Sequence, residues 1–281
     1  MQPTQVSVTV GPGVTLQVRH WQGGPRVPFV LVHGLSSNAR LWDAVARELA
    51  GAGHAAFAVD LRSHGVSPAA ETGYDTATAA DDVAAVIEEL HLAPAVVAGQ
   101  SWGGNVVVRL AAQRPDLVAA LALVDGGWID LTEQFDTWEQ AEAALRPPAV
   151  DGMRGDDLRD RLRGWHPGWS AEAIEATLAN LREVDGQLER RLSIPRHMSI
   201  VRSMWDDPPW RDFAQITTPV LLLPALSDDP AVAAPRRAAV EKAAGALARA
   251  AVREFVGADH DIHAQHPDLL ASELLTLAGA V

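Results

Sequence analysis

Short apolar runs and amphipathic stretches alternate along the chain, and the period of each run decides the element it predicts. Residues 6–10 and 15–21 flank the turn Gly11-Pro12-Gly13 and predict an opening pair of strands. Phe29-Val30-Leu31-Val32 is apolar at every position, the pattern of a strand covered on both faces. Residues 54–60, 95–99, 118–124, 220–223 and 251–255 repeat that character. Between them, Val83, Val86, Ile87 and Leu90 recur at helical spacing on one face, and that helix should stop ahead of Pro94. Strands alternating with amphipathic helices predict right-handed crossovers and an α/β fold, with a mostly parallel sheet and helices on both faces.

The rhythm changes between Gly126 and Asp212, where helical segments follow one another between the turn signals Pro147-Pro148, Asp151-Gly152 and Pro208-Pro209, and no strand is predicted. In one of these segments Ile174, Leu178 and Leu181 form an apolar stripe, with Ser170 as N-cap and Glu172 in the first turn. The expected organisation is therefore a core domain of residues 1–125 and 213–281 with a helical cap, residues 126–212, inserted into it. Six of the nine tryptophans fall in the cap. Bulky rings anchor a small subdomain's core, and some of them are expected to line an apolar cavity.

Composition narrows the chemistry. Of 281 residues 48% are hydrophobic, which supports a well-filled core, and no apolar run reaches the ~20 residues that span a bilayer. With 23 basic against 36 acidic side chains the net charge is −13, and Lys242 is the only lysine, so neither nucleic acid nor a membrane is an expected partner. A small molecule is. The opening Met1-Gln-Pro-Thr-Gln lacks the basic stretch and apolar core of a secretory signal, so a cytoplasmic location is the expectation. Without cysteine, any nucleophile must be oxygen or nitrogen, and cysteine-ligated metal centres are excluded.

The most informative stretch is Gly99-Gln100-Ser101-Trp102-Gly103, set between an apolar strand and a helix. A strand that turns into a helix within one residue brings backbones together, so the positions two before and two after the apex must be small. The apex residue is then held in a strained conformation that projects its side chain past the strand's end. Ser101 is that residue. The helix starts at once, so the Trp102 amide and the helix dipole point at an oxyanion formed there.

This arrangement resembles the α/β-hydrolase fold superfamily over nearly the whole chain. Phe29-Val-Leu-Val-His33-Gly34-Leu35 is similar to the family's strand and His-Gly turn, which places the second oxyanion-hole amide on Leu35. Asp60-Leu-Arg62-Ser63-His64-Gly65-Val-Ser67 resembles the family's Asp-x-Arg-Gly-x-Gly-x-Ser turn, with Ser63 in place of a glycine. Asp60, Arg62 and His64 are accordingly read as structural.

A serine hydroxyl attacks a carbonyl only if a base takes its proton, and imidazole has the matching pKa. His260, in the turn Gly257-Ala-Asp-His260 after the last strand, resembles the family's Gly-x-Gly-His loop and is assigned as general base. His263 is an alternative base, and His260, His263 and His266 together give a spacing readable as a metal site. No metal is expected, because helical ligand pairs favour i, i+4 and no carboxylate cluster completes the shell. For the acid that orients the imidazole, Asp228 in Pro224-Ala-Leu-Ser-Asp228 resembles the family's usual acid loop and is preferred. Asp125, ending the strand 118–124, is the alternative.

The expected chemistry is acyl transfer without a cofactor, on a small to medium, largely apolar ester or related carbonyl compound. It should rise with pH through one ionisation near ~6–7. Trp128, His197 and Met198, with Leu35 and Trp102, are candidate walls of the substrate pocket. The resemblance also leaves open a lactone, carbon–carbon or perhydrolase reaction on the same residues, and a receptor-like protein that binds without turnover.

Overall fold

The computed structural model describes residues 2–150 and 153–281, so the Asp151-Gly152 turn lies outside the described residues. The strands are β1 (Thr4–Gly11), β2 (Val14–Val32), β3 (His54–Asp60), β4 (Ala95–Gln100), β5 (Val118–Val124), β6 (Leu181–Val184), β7 (Gln187–Arg190), β8 (Val220–Leu223), β9 (Ala225–Leu226), β10 (Ala250–Val252) and β11 (Phe255–Val256). A seven-stranded sheet runs β1-β2-β4-β5-β8-β10, with β3 paired to β2. The two runs predicted at 15–21 and 29–32 are the ends of the single strand β2. Its first part runs antiparallel to β3 (Gln17 opposite Asp60, Trp21 opposite Ala56), and its last part advances in step with Ala56–Val59. From there across to β10 the pairing is parallel.

Alternation along the buried strands explains the two-sided sheet. Val30, Val32, Val97, Leu121, Leu123 and Leu222 pack into one apolar cluster with residues of the helices Thr76–Glu89 and Trp102–Gln113. Their neighbours Phe29, Leu31, Val96, Ala98, Ala120 and Leu223 pack into another with the helices Asp43–Gly51 and Pro267–Ala278. Each fully buried Leu, Ile or Val contributes about 1.5–3 kcal/mol of transfer free energy, so a continuous apolar strand is stable only when both faces are covered. The helix carrying Val83, Val86 and Ile87 ends at Glu89, ahead of Pro94.

Three elements depart from the sequence pattern. In segment 126–212 the described regular elements are helices apart from the antiparallel hairpin β6–β7, which joins at Asp185-Gly186 with both residues at positive φ (51° and 78°). Asp-Gly is a strong hairpin signal, but these strands bury only Leu181 and Leu188, too little to register as a strand pattern. The helix capped by Ser170, whose side chain accepts from the Ala173 amide, stops at Leu178, so Leu181 belongs to β6. The predicted run 251–255 is divided into β10 and β11, and β11 pairs with β9 outside the main sheet. Between β5 and β8 the inserted segment is not a separate core. Leu192, Met198, Ile200, Val201 and Met204 belong to the same apolar cluster as one face of the sheet.

Candidate active site

Ser101 follows β4 with φ 54° and ψ −125°, and caps the helix Trp102–Gln113 without a side-chain bond. For a residue with a Cβ this is sparsely populated backbone, the strain expected of a functional turn. The tightness is measurable. A Cβ on Gly99 would lie 2.2 Å from the Gly103 carbonyl oxygen, and one on Gly103 would lie 2.4 Å from that of His33. Ser101 donates its amide to the Val124 carbonyl at 3.0 Å, which ties the turn to the end of β5.

Asp125 stands at that end, also at positive φ (45°), a conformation aspartate tolerates. Its side chain is fully buried. Oδ1 accepts the Ala225 amide at 2.9 Å. Oδ2 accepts from His260 Nδ1 at 2.5 Å and from Arg236 Nη2 at 2.5 Å. The carboxylate against the histidine is therefore Asp125, and the preference for Asp228 is corrected. Past β8 the chain delivers the backbone of β9 to this spot. Asp228 is exposed two residues beyond, beside Gly257, where a Cβ would meet its Oδ1 at 2.9 Å.

Because His260 Nδ1 is engaged by a carboxylate, the ring donates there, and Nε2 makes no hydrogen bond among the described residues. Burial disfavours protonation of this ring, but the hydrogen bond and charge of Asp125, with Asp261, outweigh burial and Arg236 and hold its pKa above 6.5. The base form is the neutral ring. Activity that depends on it must fall as pH drops through that raised pKa, so the acid limb of kcat/KM should have its midpoint above 6.5, measurable with a neutral ester across pH 5–9.

The other histidines part company with His260. His263 is fully buried, neither ring nitrogen has a partner, and it packs against Trp42 with centroids 4.7 Å apart. Burial lowers its pKa to about 4. His266 packs against Phe255. Among the described residues no group of three His, Cys, Asp or Glu side chains is placed to hold a metal ion.

Leu35 and Trp102, the residues whose amides the sequence pointed to, line the same cavity as Ser101, Asp125 and His260. The loop after Leu35 is held by contacts the sequence did not disclose. Ser36, at φ 57°, donates its amide to His64 Nε2 at 3.3 Å. His64 can accept because its Nδ1 donates to the Arg62 carbonyl, and burial keeps the ring neutral with a pKa of about 4. His197 Nε2 donates to the Leu145 carbonyl at 3.0 Å, which leaves Nδ1 to accept the Ser36 hydroxyl at 2.8 Å. Asp60 accepts the amides of Ala39 and Val66, and Arg62 pairs with Asp82, as structural roles require. Ser63 sits at φ 61° where a glycine was expected, its hydroxyl 2.7 Å from that of Tyr74.

The cavity has a volume of about 700 Å³. Trp128 and His197 line it, whereas Met198 is packed into the core and Val201 and Met204, on the same helix Ile194–Asp206, are in the wall. Of the inserted tryptophans only Trp128 is in the wall. Trp138 and Trp205 pack edge to face, Trp210 lies under Lys242, Trp169 stacks on His166, and Trp165 is exposed. The polar side holds Asp130, Glu133, Gln134 and Arg236. Arg236 was not singled out in the sequence.

The chain belongs to the alpha/beta hydrolase fold family, whose profile matches residues 27–267. At that level it is a hydrolase. It is 30% identical over 259 residues, 91% of this chain and 88% of the relative, to 2-(acetamidomethylene)succinate hydrolase of Mesorhizobium japonicum (strain LMG 29417 / CECT 9101 / MAFF 303099). It is also 30% identical over 282 residues to a non-heme chloroperoxidase of Streptomyces lividans, covering 96% of this chain and 98% of that protein. Among solved structures, E-2-(acetamidomethylene)succinate hydrolase superposes with a TM-score of 0.81 at 26% identity, covering 99% of this chain and 100% of that one. Among the described residues no helix is long and apolar enough to cross a membrane.

Proposed function

We propose that this protein is a serine hydrolase that transfers the acyl group of a small to medium, largely apolar ester to water. The observation that carries the reading is the His260 Nδ1–Asp125 Oδ2 bond in the cavity that also holds Ser101. Ser101 Oγ attacks the carbonyl carbon as its proton passes to His260 Nε2, and the carbonyl oxygen becomes an oxyanion received by the Leu35 and Trp102 amides. Collapse breaks the bond to the leaving alcohol, which takes the proton from His260 and leaves an acyl-serine. Water then gives a proton to His260 and attacks the acyl carbon. The acid is released and Ser101 regains its proton.

Cavity chemistry supports neutral substrates. Trp128, Ile129, Leu131, Leu145, Val201 and Met204 supply an apolar wall, while Asp130 and the net charge of −13 oppose an anion. Arg236 does not reverse this, because its charge is taken up by Asp125. The test is a panel of p-nitrophenyl esters of increasing acyl length, their carboxylate-bearing counterparts, and an acetamido substrate of the kind named for the Mesorhizobium relative. Higher kcat/KM for the neutral medium-length esters is expected. A preference for the carboxylate-bearing esters or the acetamido compound would replace this substrate class.

A further inference from the structure

Asp125 has two cationic or potentially cationic partners on one oxygen, and only one of them is the histidine. The carboxylate is fully buried, so its charge must be compensated by its contacts. One amide and a neutral imidazole do that poorly. Left to them, the buried carboxylate would favour a proton on the adjacent, partly exposed ring, and an imidazolium cannot act as base. Arg236 lies on the helix Pro230–Ala246, its side chain 47% exposed, and reaches Asp125 Oδ2 with Nη2. Its neighbour Arg237 turns outward and pairs with Glu254. Arg236 also lines both the main cavity and an adjoining one of about 420 Å³, which His260 and Val232 share with it.

We propose that Arg236 is a positioning residue of this site: by supplying the counter-charge to Asp125 it lets the His260 ring stay unprotonated, and so available as base, closer to neutral pH. This inference rests on the serine-hydrolase reading above. The carboxylates around His260 push the opposite way. Asp261 and Asp259 flank it on its own loop, although Asp259 is 3.2 Å from His166 Nδ1. Asp228 faces it across the adjoining cavity, and Asp130 and Glu133 share the main one, Glu133 paired with Lys242. His263 is buried and neutral and adds no charge. Arg236 is the cation that meets Asp125 directly, and its field opposes protonation of His260.

The test compares kcat/KM against pH for wild type, Arg236→Gln and Arg236→Lys with one neutral p-nitrophenyl ester. Removing the charge in Arg236→Gln should move the acid limb up by about 0.5–1 pH unit, while Arg236→Lys keeps the charge and stays near the wild-type midpoint. A residue that only braced the loop would change rate or melting temperature without moving the midpoint. NMR titration of His260 in a Ser101→Ala background reads the same shift without turnover, so a failure of the inference is told apart from a failure of the hydrolase reading. An unchanged or lowered midpoint in Arg236→Gln overturns the inference. So does loss of the folded state in that variant, which would make the role structural.

Discussion

Ser101→Ala should abolish covalent labelling by a fluorophosphonate probe and lower ester turnover on the order of 10⁴- to 10⁶-fold, with the melting temperature near that of wild type. The size follows from the chemistry. Without the hydroxyl there is no acyl-enzyme, and what survives is water attacking a substrate held by the cavity and the two amides. The fold should tolerate the change, because Ser101 Oγ makes no hydrogen bond to another described group and its cap position is not satisfied by the side chain. Turnover within tenfold of wild type would remove Ser101 from the reaction. Labelling retained in Ser101→Ala would place the nucleophile on another residue. Tight binding of a small molecule without labelling of wild type would favour a receptor-like protein.

The turn around Ser101 was legible in the sequence because its constraint is local. Strand, small residue, apex, small residue and helix lie within one short stretch, and the close approaches of Gly99 and Gly103 are consequences of that spacing. The parallel strands were legible for the same reason: a residue covered on either face must be apolar whatever its partners. Where stability came from few buried contacts, the pattern fell silent. The β6–β7 hairpin rests on its turn and on two buried leucines, and the polar residues beside them look like any exposed loop.

The site's partners depend instead on which loops bend toward one another. β5 and β8 are adjacent and parallel, with Val124 opposite Leu223, so Asp125 and the loop carrying Asp228 leave the sheet at the same edge. Nothing local distinguishes them. The nearest signal is Gly126, whose missing side chain lets the chain after Asp125 run against the turn at Ser101, a Cβ there lying 2.1 Å from the Ser101 carbonyl oxygen. Arg236 was less legible still. It and Arg237 are consecutive residues of one helix, and only the packing of that helix sends one to a buried carboxylate and the other to the surface. The Ser36–His197 link joins residues 161 positions apart and is equally invisible before folding.

Asp125→Asn and Asp228→Asn separate the two carboxylates by activity. Asp125→Asn should lower kcat/KM by about 10⁴-fold, because an amide presented to Nδ1 no longer stabilises the imidazolium formed as Ser101 attacks and can favour the wrong tautomer. The residual activity carries a second signature. Asp125 contributes most to raising the His260 pKa, so removing its charge should shift the acid limb to lower pH, opposite in sign to the shift expected for Arg236→Gln. Stability should also suffer, since Arg236 loses its partner and the Ala225 amide risks facing an NH₂ group in a buried site. Asp228 accepts no hydrogen bond from the ring and is exposed, so its amide should leave kcat/KM within a few-fold of wild type. The reverse result, a large loss in Asp228→Asn with Asp125→Asn near wild type, would mean that His260 leaves Asp125 during turnover and is oriented from the other loop.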